Sequence, residues 1–287
     1  MNPEDKARNV FPFVSLVVLG IAFSMIWFYV FVPSDKNLKV VFCDVGQGDG
    51  ALIKFPDGKT ALVDAGPNKK ILECLGKNIP FYRKKIDIVF LSHPDADHVG
   101  GLSYVLASYQ VGRVVESGIG RDTQAYKSFV DIVKGQKITD TKAIGGAAFD
   151  IASGAKIQIL LPTGTVAGPN LNNMSEVLLL GFGKENFLFT GDMEKEEAGQ
   201  MASLYPDVRA DVIKIPHHGS KYSLDEKFYR QLQPKYAVIS VGAKNRYGHP
   251  HAEVLNFLGK SGIRIFRTDK SGDISFETDG QMLREEN

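Results

Sequence analysis

Cysteine and tryptophan are scarce in this chain, and neither sign of charge dominates. The 287 residues include 2 cysteines, 1 tryptophan, 34 basic residues and 33 acidic residues, for a formal net charge of +1. This balance excludes an overall basic field that would attract nucleic acid. With 44% hydrophobic and 23% charged residues, the composition is that of an ordinary globular protein.

The two cysteines, Cys43 and Cys74, lie far apart in the sequence and lack C-x-x-C spacing. Each falls in an apolar segment, at residues 40–45 and 71–75. A disulfide bond between them is one alternative, but the pattern favours two buried free thiols. On this interpretation the cysteines say little about the redox compartment.

A long apolar run stands near the N-terminus. Residues 10–32 carry no charge, and as a helix they would extend about 34 Å, enough to cross a hydrocarbon core of about 30 Å. The run is too long for a signal peptide, and no A-x-A-like cleavage site follows it. A buried core helix is disfavoured because no face of the segment is polar. We therefore expect one uncleaved transmembrane helix that anchors the chain in the cell membrane.

The orientation of this anchor depends on its flanks. Lys6 and Arg8 precede the run and Lys36 and Lys39 follow it, so the count of flanking positive charges is a tie. The short N-terminal tail makes an inside N-terminus the default, which predicts that the rest of the chain lies outside the cytoplasm. We divide the chain into a tail, anchor and linker at residues 1–36 and one domain at residues 37–287.

The remaining sequence alternates β-rich apolar runs with amphipathic stretches. LKVVFCDV, GALIKF and TALVDAG predict a strand meander, and IDIVFLS predicts a buried strand. Further strands are predicted in SEVLLLGF, NFLFTGD, DVIKIP, YAVISVG and IRIFRT, and helices over 99–108, 123–134, 194–204, 224–232 and 252–260. Two strand-rich halves with interleaved helices indicate an α/β or α+β layered sandwich. In such sheets, ligand sites gather beyond the carboxyl ends of strands.

All six histidines fall in three short clusters, and each cluster follows a predicted strand. The densest is HPDADH at residues 93–98, where four of six residues can bind a metal ion. His93 and Asp95 point the same way on an extended loop, while Asp97 is one step further and His98 begins a helix. Side chains this close would be costly without a cation. The alternative, a solvated loop with Asp97 as helix cap, leaves the histidines unexplained.

Later segments add candidates after other strands. Asp192 follows an apolar strand and is either a bridging metal ligand or the N-cap of the helix near Glu194. His217 and His218 face different directions, so one can bind metal while the other makes an outer contact or transfers a proton. The basic residues near these histidines either hold phosphate groups or form an ordinary solvated face; they are Lys214, Lys221, Lys244 and Arg246.

Together these segments resemble the metallo-β-lactamase superfamily and, more narrowly, the nuclease domain of the ComEC competence proteins. FCDVGQGDGALIKFPDGKTALVDAGP is similar to the D-V-G-Q-G-D signature of that family, and LSHPDADHVGGL to its H-x-D-x-D-H metal motif. NNMSEVLLL, NFLFTGD, IKIPHHGS, SVGAKNRYGHP and FRTDKSGDISF follow in family order. The resemblance covers about residues 38–277.

The resemblance implies a four-layer αββα sandwich after the transmembrane helix, with two divalent ions, zinc or manganese. His93 and Asp95 would hold one ion, Asp97 and His98 the other, and Asp192 would bridge them. His218 is a further candidate ligand. The implied catalytic residues are Asp97, His217, His218 and His249. The implied substrate contacts are Lys214, Lys221, Asn245 and Arg246, and the implied supporting residues are Asp49, Asp64, Asn173 and Ser175.

The implied activity is that of a metal-dependent phosphodiesterase, a DNA nuclease at the cell surface that uses a metal-activated hydroxide. Its partners would be DNA as substrate and the membrane through residues 10–32; no protein partner is inferred. One alternative is hydrolysis of another phosphoester, such as a choline phosphate or a cell-wall ester. Another is a non-catalytic binding module with a degenerate metal site, which the asparagines at residues 172–173 favour because many superfamily members have a histidine there.

Overall fold

The computed structural model describes residues 15–25, 27, 36–142, 144–151, 154–162 and 174–286. The chain divides into two compact units, Met1–Asp35 and Lys36–Asn287. Residues 15–25 are helical, and among the described residues no helix has the length and apolar character needed to cross a membrane. The span was predicted over residues 10–32, and most of its residues outside 15–25 are not among the described residues. The membrane anchor therefore stays a prediction.

The larger unit is built from strands that form two large sheets and one small one. In chain order the strands are β1 (Leu38–Phe42), β2 (Gly50–Lys54), β3 (Thr60–Ala65), β4 (Lys85–Ile86), β5 (Ile88–Leu91), β6 (Gln110–Val111), β7 (Arg113–Glu116), β8 (Thr139–Lys142), β9 (Ala148–Asp150), β10 (Ala155–Leu161), β11 (Val177–Phe182), β12 (Glu185–Phe189), β13 (Val212–Lys214), β14 (Tyr236–Ile239), β15 (Arg264–Arg267), β16 (Ile274–Thr278) and β17 (Leu283–Glu286). The first sheet has the order β17-β16-β1-β2-β3-β5-β7-β8, and the second has the order β15-β14-β13-β12-β11-β10-β9.

Helices connect many of these strands. In chain order they are α1 (Ile71–Asn78), α2 (Ala96–Val99), α3 (Leu102–Ser108), α4 (Gln124–Gly135), α5 (Lys195–Leu204), α6 (Glu226–Leu232), α7 (Ala252–Lys260) and α8 (Thr268–Ser271). Tight turns join β1, β2 and β3 into an antiparallel meander, whereas β3, β5, β7 and β8 are parallel because helical segments join most of them. In the second sheet, β12 to β15 are likewise parallel.

Three apolar clusters separate the layers. The first lies between the sheets, where the rings of Phe42 and Phe189 are 5.7 Å apart. The second packs the other face of the first sheet against α1, α3 and α4, and the third packs the other face of the second sheet against α5, α6 and α7. The order is therefore helices, sheet, sheet, helices, because each sheet has two apolar faces to cover.

Most predicted elements are present, with adjustments at their ends. The helix predicted over 99–108 divides at Gly100 and Gly101 into α2 and α3. At Gly101 a Cβ would collide with the carbonyl oxygen of Ala65, so only glycine permits this close approach. The strands β16 and β17 were not predicted; they pair next to β1 and complete the first sheet.

The interpretation of the cysteines as free thiols is wrong. Cys43 and Cys74 form a disulfide, with their Cα atoms 5.7 Å apart. Cys43 directly follows β1 and Cys74 lies in α1, and both belong to the apolar cluster beneath the first sheet. Their sequence separation of 31 residues concealed a proximity that arises only when α1 packs on the sheet.

Candidate metal centre

The polar residues that follow parallel strands of both sheets converge between the sheets. In the first sheet these residues belong to β3 and to the loop after β5, and in the second sheet they follow β12, β13 and β14. Four of them, Asp97, His98, Asp192 and His218, each offer a ligand atom, and these atoms all lie within 4.8 Å of one another. The two sheets thus contribute to one cluster, hereafter the four-residue cluster.

The atoms that face one another in this cluster lack other partners. Nε2 of His218 lies 3.3 Å from Oδ2 of Asp97 and 3.5 Å from Oδ2 of Asp192. Nε2 of His98, Nε2 of His218 and Oδ1 of Asp192 are buried and form no hydrogen bond. Buried polar atoms without partners are costly, so the orphaned atoms fit a ligand at their centre. Imidazole nitrogens and carboxylate oxygens form a donor set that suits Zn²⁺ or Mn²⁺.

The charges of the cluster depend strongly on one another. Burial opposes ionisation of Asp192, but the positive charges of His218 and His98 outweigh it and hold the pKa of Asp192 well below its usual range. Burial likewise opposes protonation of His218, yet the carboxylates of Asp192 and Asp49 raise the pKa of His218 to about 10. The carboxylates therefore require positive charge at this place, which a divalent ion also supplies.

Contacts behind the imidazoles fix their orientation. Nδ1 of His98 lies 2.9 Å from Oδ2 of Asp64, and Nδ1 of His218 lies 2.9 Å from the carbonyl oxygen of Ser240. The carboxylate of Asp64 also accepts hydrogen bonds from the backbone N–H and the hydroxyl of Ser92. With Nδ1 occupied in both rings, Nε2 is directed into the cluster, an arrangement common among metal-binding histidines.

The backbone after β13 adopts an uncommon conformation to bring His218 into place. His217 and His218 have φ angles of 48° and 54°, and Gly219 follows with a φ of 85°. Left-handed backbone at non-glycine residues costs about 1–3 kcal/mol per residue and persists where surrounding contacts impose it. The turn places His218 inside the cluster and leaves His217 at its rim, with Nε2 of His217 3.8 Å from Oδ2 of Asp192.

Lys214 lies beneath the cluster rather than at its surface, which corrects its predicted role in substrate binding. Its side chain is buried and forms an ion pair with Asp49. Nζ also donates to the carbonyl oxygen of Gly191 at 3.0 Å and lies 3.7 Å from Oδ1 of Asp192. Lys214 therefore neutralises two carboxylates and holds the loop that carries Asp192. The sequence could not show that the Lys214 side chain points into the interior, because a lysine at a strand end is commonly solvated.

The capping alternatives for two aspartates do not hold. The N-cap of α5 is Glu194, whose side chain forms a capping box with Glu197, so Asp192 lies outside the helix. Asp95, not Asp97, is the N-cap of α2, and it makes no capping hydrogen bond. Asp97 and Asp192 therefore have no helix-capping function that would explain their position.

The predicted pair His93 and Asp95 lies outside the four-residue cluster. The ring of His93 lies 4.0 Å from that of His98, and its Nε2 is buried without a partner. Burial, with the charge of His98, lowers the pKa of His93 to about 4, so this imidazole is neutral and able to bind metal. The carboxylate of Asp95 instead forms an ion pair with Arg121. No sequence motif surrounds Arg121, and its role was not predicted.

The remaining predicted residues lie around the cluster. Ser175 accepts a hydrogen bond from the backbone N–H of Asp192 at 3.0 Å. Asn245 accepts from the N–H of His249 and donates to its carbonyl oxygen, so its amide holds the loop together; its contact with substrate stays a prediction. Lys221 and Arg246 are exposed. Asn173 and its neighbour at residue 172 lie outside the described residues.

Comparison with known proteins agrees with this arrangement. Residues 43–243 match the metallo-beta-lactamase superfamily. The chain is 33% identical over 276 residues to ComE operon protein 3 of Bacillus subtilis, covering 88% of this chain and 34% of that protein. It is 30% identical over 245 residues to Recombination protein 2 of Haemophilus influenzae, covering 84% of this chain and 29% of that protein. The chain thus spans about a third of the length of these relatives.

Solved structures share the fold. Igni18, a metallo hydrolase from the archaeon Ignicoccus hospitalis, superimposes with a TM-score of 0.54 at 16% identity, covering 84% of this chain and 99% of that one. At this identity the likeness concerns the fold alone.

Proposed function

Because this chain belongs to the metallo-β-lactamase superfamily, whose fold is that of metal-dependent hydrolases, we propose that it is a phosphodiesterase that hydrolyses DNA outside the cytoplasm. The four-residue cluster carries this proposal, since its buried and unpartnered ligand atoms come from both sheets. Asp97, His98, Asp192 and His218 would hold a divalent ion, and the buried Nε2 of His93 likewise has no hydrogen-bond partner. A bound ion would supply water activation near neutral pH and polarise a phosphoryl oxygen.

The chain itself contributes orientation and a neutral imidazole at the rim. Asp64 and the carbonyl of Ser240 keep Nε2 of His98 and His218 directed inwards. His249 is half-buried at the rim, and burial together with the charges of nearby histidines lowers its pKa to about 4. His249 is therefore neutral at physiological pH, and its buried Nδ1, which has no hydrogen-bond partner, is available to a metal ion or a hydrogen-bond donor at the rim.

Two observations favour DNA over other phosphoesters. Recombination is a process of DNA, and a relative bears that name. Lys221 and Arg246 are exposed on the two segments that carry the rim histidines, where they can contact a phosphate backbone. The resemblance of the motifs to a competence nuclease domain points to the same substrate.

The disulfide supports a location outside the cytoplasm. Structural disulfides form and persist mainly in oxidising compartments. The Cys43–Cys74 bond is therefore in keeping with an anchor at residues 10–32 that holds the domain on the outer side of the membrane. Protease treatment of intact cells tests this location: we expect the domain to be cleaved without lysis, and protection until lysis would contradict it.

The activity is tested with the full-length protein in detergent. We expect hydrolysis of DNA oligonucleotides with Mn²⁺ or Zn²⁺ and its loss with a chelator. Parallel assays with a choline phosphodiester separate DNA hydrolysis from a broader phosphodiesterase activity. A folded protein that binds these metals but cleaves neither substrate would contradict the proposal.

A further inference from the structure

Two exposed tyrosines beside the candidate metal centre are each paired with a basic side chain. Tyr222 is 67% exposed, and Nζ of Lys221 lies 5.6 Å from the centre of its ring. Tyr247 is 53% exposed, and Cζ of Arg246 lies 5.4 Å from the centre of its ring. We call Lys221, Tyr222, Arg246 and Tyr247 the aromatic rim. It repeats one arrangement, an exposed ring with a cation over one face, on two separate segments.

Ring contacts connect Tyr247 with the four-residue cluster. The rings of Tyr247 and His249 are stacked, with centres 5.7 Å apart and an interplanar angle of 25°. The ring of His249 lies 5.6 Å from that of His217, whose Nε2 lies 3.8 Å from Asp192. Tyr247 therefore stands two rings away from the histidine that reaches a candidate metal ligand.

The segment that carries Tyr222 is tied to the same histidines through its backbone. The backbone N–H of Lys221, which precedes Tyr222, donates to Nδ1 of His251 at 3.2 Å. The ring of His251 lies 4.9 Å from that of His249. Both segments of the aromatic rim are thus tied to His249, and the hydrogen bonds of Asn245 fix the loop that carries Tyr247.

A pair of exposed aromatic rings suits one form of nucleic acid better than another. In a duplex the faces of the bases are stacked on each other, so only the bases of a single strand are free to stack on a side chain. Basic groups beside each ring complement the phosphates that accompany such bases. The phosphates of a duplex could contact the two cations, but its stacked bases would offer no free face to either tyrosine ring.

We propose that the aromatic rim binds unpaired nucleobases, which stack on Tyr222 and Tyr247 while Lys221 and Arg246 contact the adjoining phosphates. The substrate class is accordingly single-stranded DNA or an unpaired end of a duplex. This inference rests on the proposed nuclease function for its purpose, but the binding it describes is measurable without hydrolysis. The rim would hold the strand so that its backbone passes the side of the cluster where His217 and Asp192 meet.

The test compares a single-stranded oligonucleotide with an abasic oligomer of the same length and phosphate charge. Binding to the full-length protein is measured by fluorescence anisotropy in a chelator, so that no turnover occurs. We expect the wild type to bind the base-bearing strand more tightly. Tyr222→Ala and Tyr247→Ala should each weaken that binding about fivefold to 150-fold, the range for loss of one stacked base, and should narrow the preference over the abasic oligomer.

Two controls separate stacking from other effects. Tyr222→Phe and Tyr247→Phe keep the rings and should keep the preference for the base-bearing strand. Tyr82→Ala removes a tyrosine that is 76% exposed and precedes β5, at the end of that strand opposite the candidate centre, and should leave binding unchanged.

The outcomes distinguish this inference from the proposed function. If the wild type binds base-bearing and abasic strands equally, or if both alanine variants keep the wild-type preference, the aromatic rim does not bind bases. If the rim shows the expected preference but the metal-loaded wild type cleaves no DNA, the nuclease proposal fails and the binding site stands. Metal-dependent cleavage without the preference would support the nuclease proposal and contradict base binding by the rim.

Discussion

Nε2 of His98 lies 3.3 Å from Oδ1 of Asp192, and neither atom has a hydrogen-bond partner. His98 lies in α2, after the first sheet's strand β5, and Asp192 follows β12 of the second sheet. The contact therefore joins the two halves of the sandwich through a pair of unsatisfied groups. A cation between them would satisfy both, which makes this pair the most direct place to test the candidate centre.

The first prediction concerns Asp192→Asn. The change keeps the size of the side chain and removes a charge that Oδ1 and Oδ2 present to His98 and His218. We expect metal affinity and DNA hydrolysis to fall by orders of magnitude, because binding the ion depends on this carboxylate. Calorimetric titration with Mn²⁺ and the metal-induced shift in melting temperature measure the loss.

Asp225→Asn is the matched control for this change. Asp225 caps α6 by accepting from the N–H of Phe228 at 2.9 Å, and asparagine caps nearly as well. This variant should keep metal binding and activity. Equal metal-induced stabilisation of the wild type and Asp192→Asn would exclude Asp192 as a ligand.

The second prediction concerns Lys214→Met, which keeps the length of a buried side chain but removes its charge. The carboxylates of Asp49 and Asp192 would lose their ammonium partner in the interior. Breaking a buried ion pair in this way costs about 3–5 kcal/mol, and we expect a loss of this size in urea unfolding of the metal-free protein. Lys235→Met, which breaks the exposed pair with Asp211, should cost about 1 kcal/mol or less. Similar losses for the two variants would show that Lys214 does not hold the site together.

The third prediction concerns the disulfide. Replacing Cys43 and Cys74 together by alanine should lower the free energy of unfolding by about 2–4 kcal/mol, because the bond restricts a loop of 31 residues in the unfolded chain. Chemical denaturation of the variant and the oxidised wild type measures the difference. Mass analysis after thiol alkylation provides the check, and two alkylated cysteines in the unreduced protein would contradict the bond.

The fourth prediction concerns Glu176, which is fully buried and has no hydrogen-bond partner for either carboxylate oxygen. Burial, followed by the charges of Asp64 and Glu116, raises its pKa well above the usual range. Below its usual pKa the group is protonated in both the folded and the unfolded state. As the pH rises, the Glu176 carboxyl ionises first in the unfolded state. The free energy of unfolding therefore falls progressively until the pH reaches the raised pKa of the folded state.

The variant Glu176→Gln removes this dependence. We expect its advantage in melting temperature over the wild type to grow from mildly acidic to alkaline pH. Glu253→Gln, on the exposed side of α7, should show no such trend. A constant difference between wild type and Glu176→Gln across the pH range would mean that Glu176 does not stay protonated in the folded protein.

The sequence singled out all members of the four-residue cluster because its signals are local. Apolar periodicity shows where a strand ends, and His93, Asp192 and His218 each follow such an end. The orientation of these side chains does not depend on local sequence. Asp64 lies 34 residues before His98 and contacts the imidazole of His98 only after β3 and β5 pair. The partners of Cys43 and Arg121 were hidden for the same reason, since both depend on how distant segments pack.

The missed strands have a similar cause. β16 alternates buried with half-buried residues over five positions, and β17 alternates half-buried with exposed residues over four. Such patterns are too short to distinguish from a loop. Their identity as strands comes from pairing with β1 and with each other. The pairing with β1 joins residues more than two hundred positions apart, which no window along the sequence can detect.

The position of β16 sets the order of events during synthesis. β1 emerges from the ribosome more than two hundred residues before β16, so one of its edges stays open until Ile274 and its neighbours arrive to pair with Phe42 and the residues before it. Contacts of such large sequence separation form slowly, and an open strand edge invites pairing with other chains in the meantime. A nascent chain of this protein would therefore need this edge of β1 shielded, for example by a chaperone, until β16 is made.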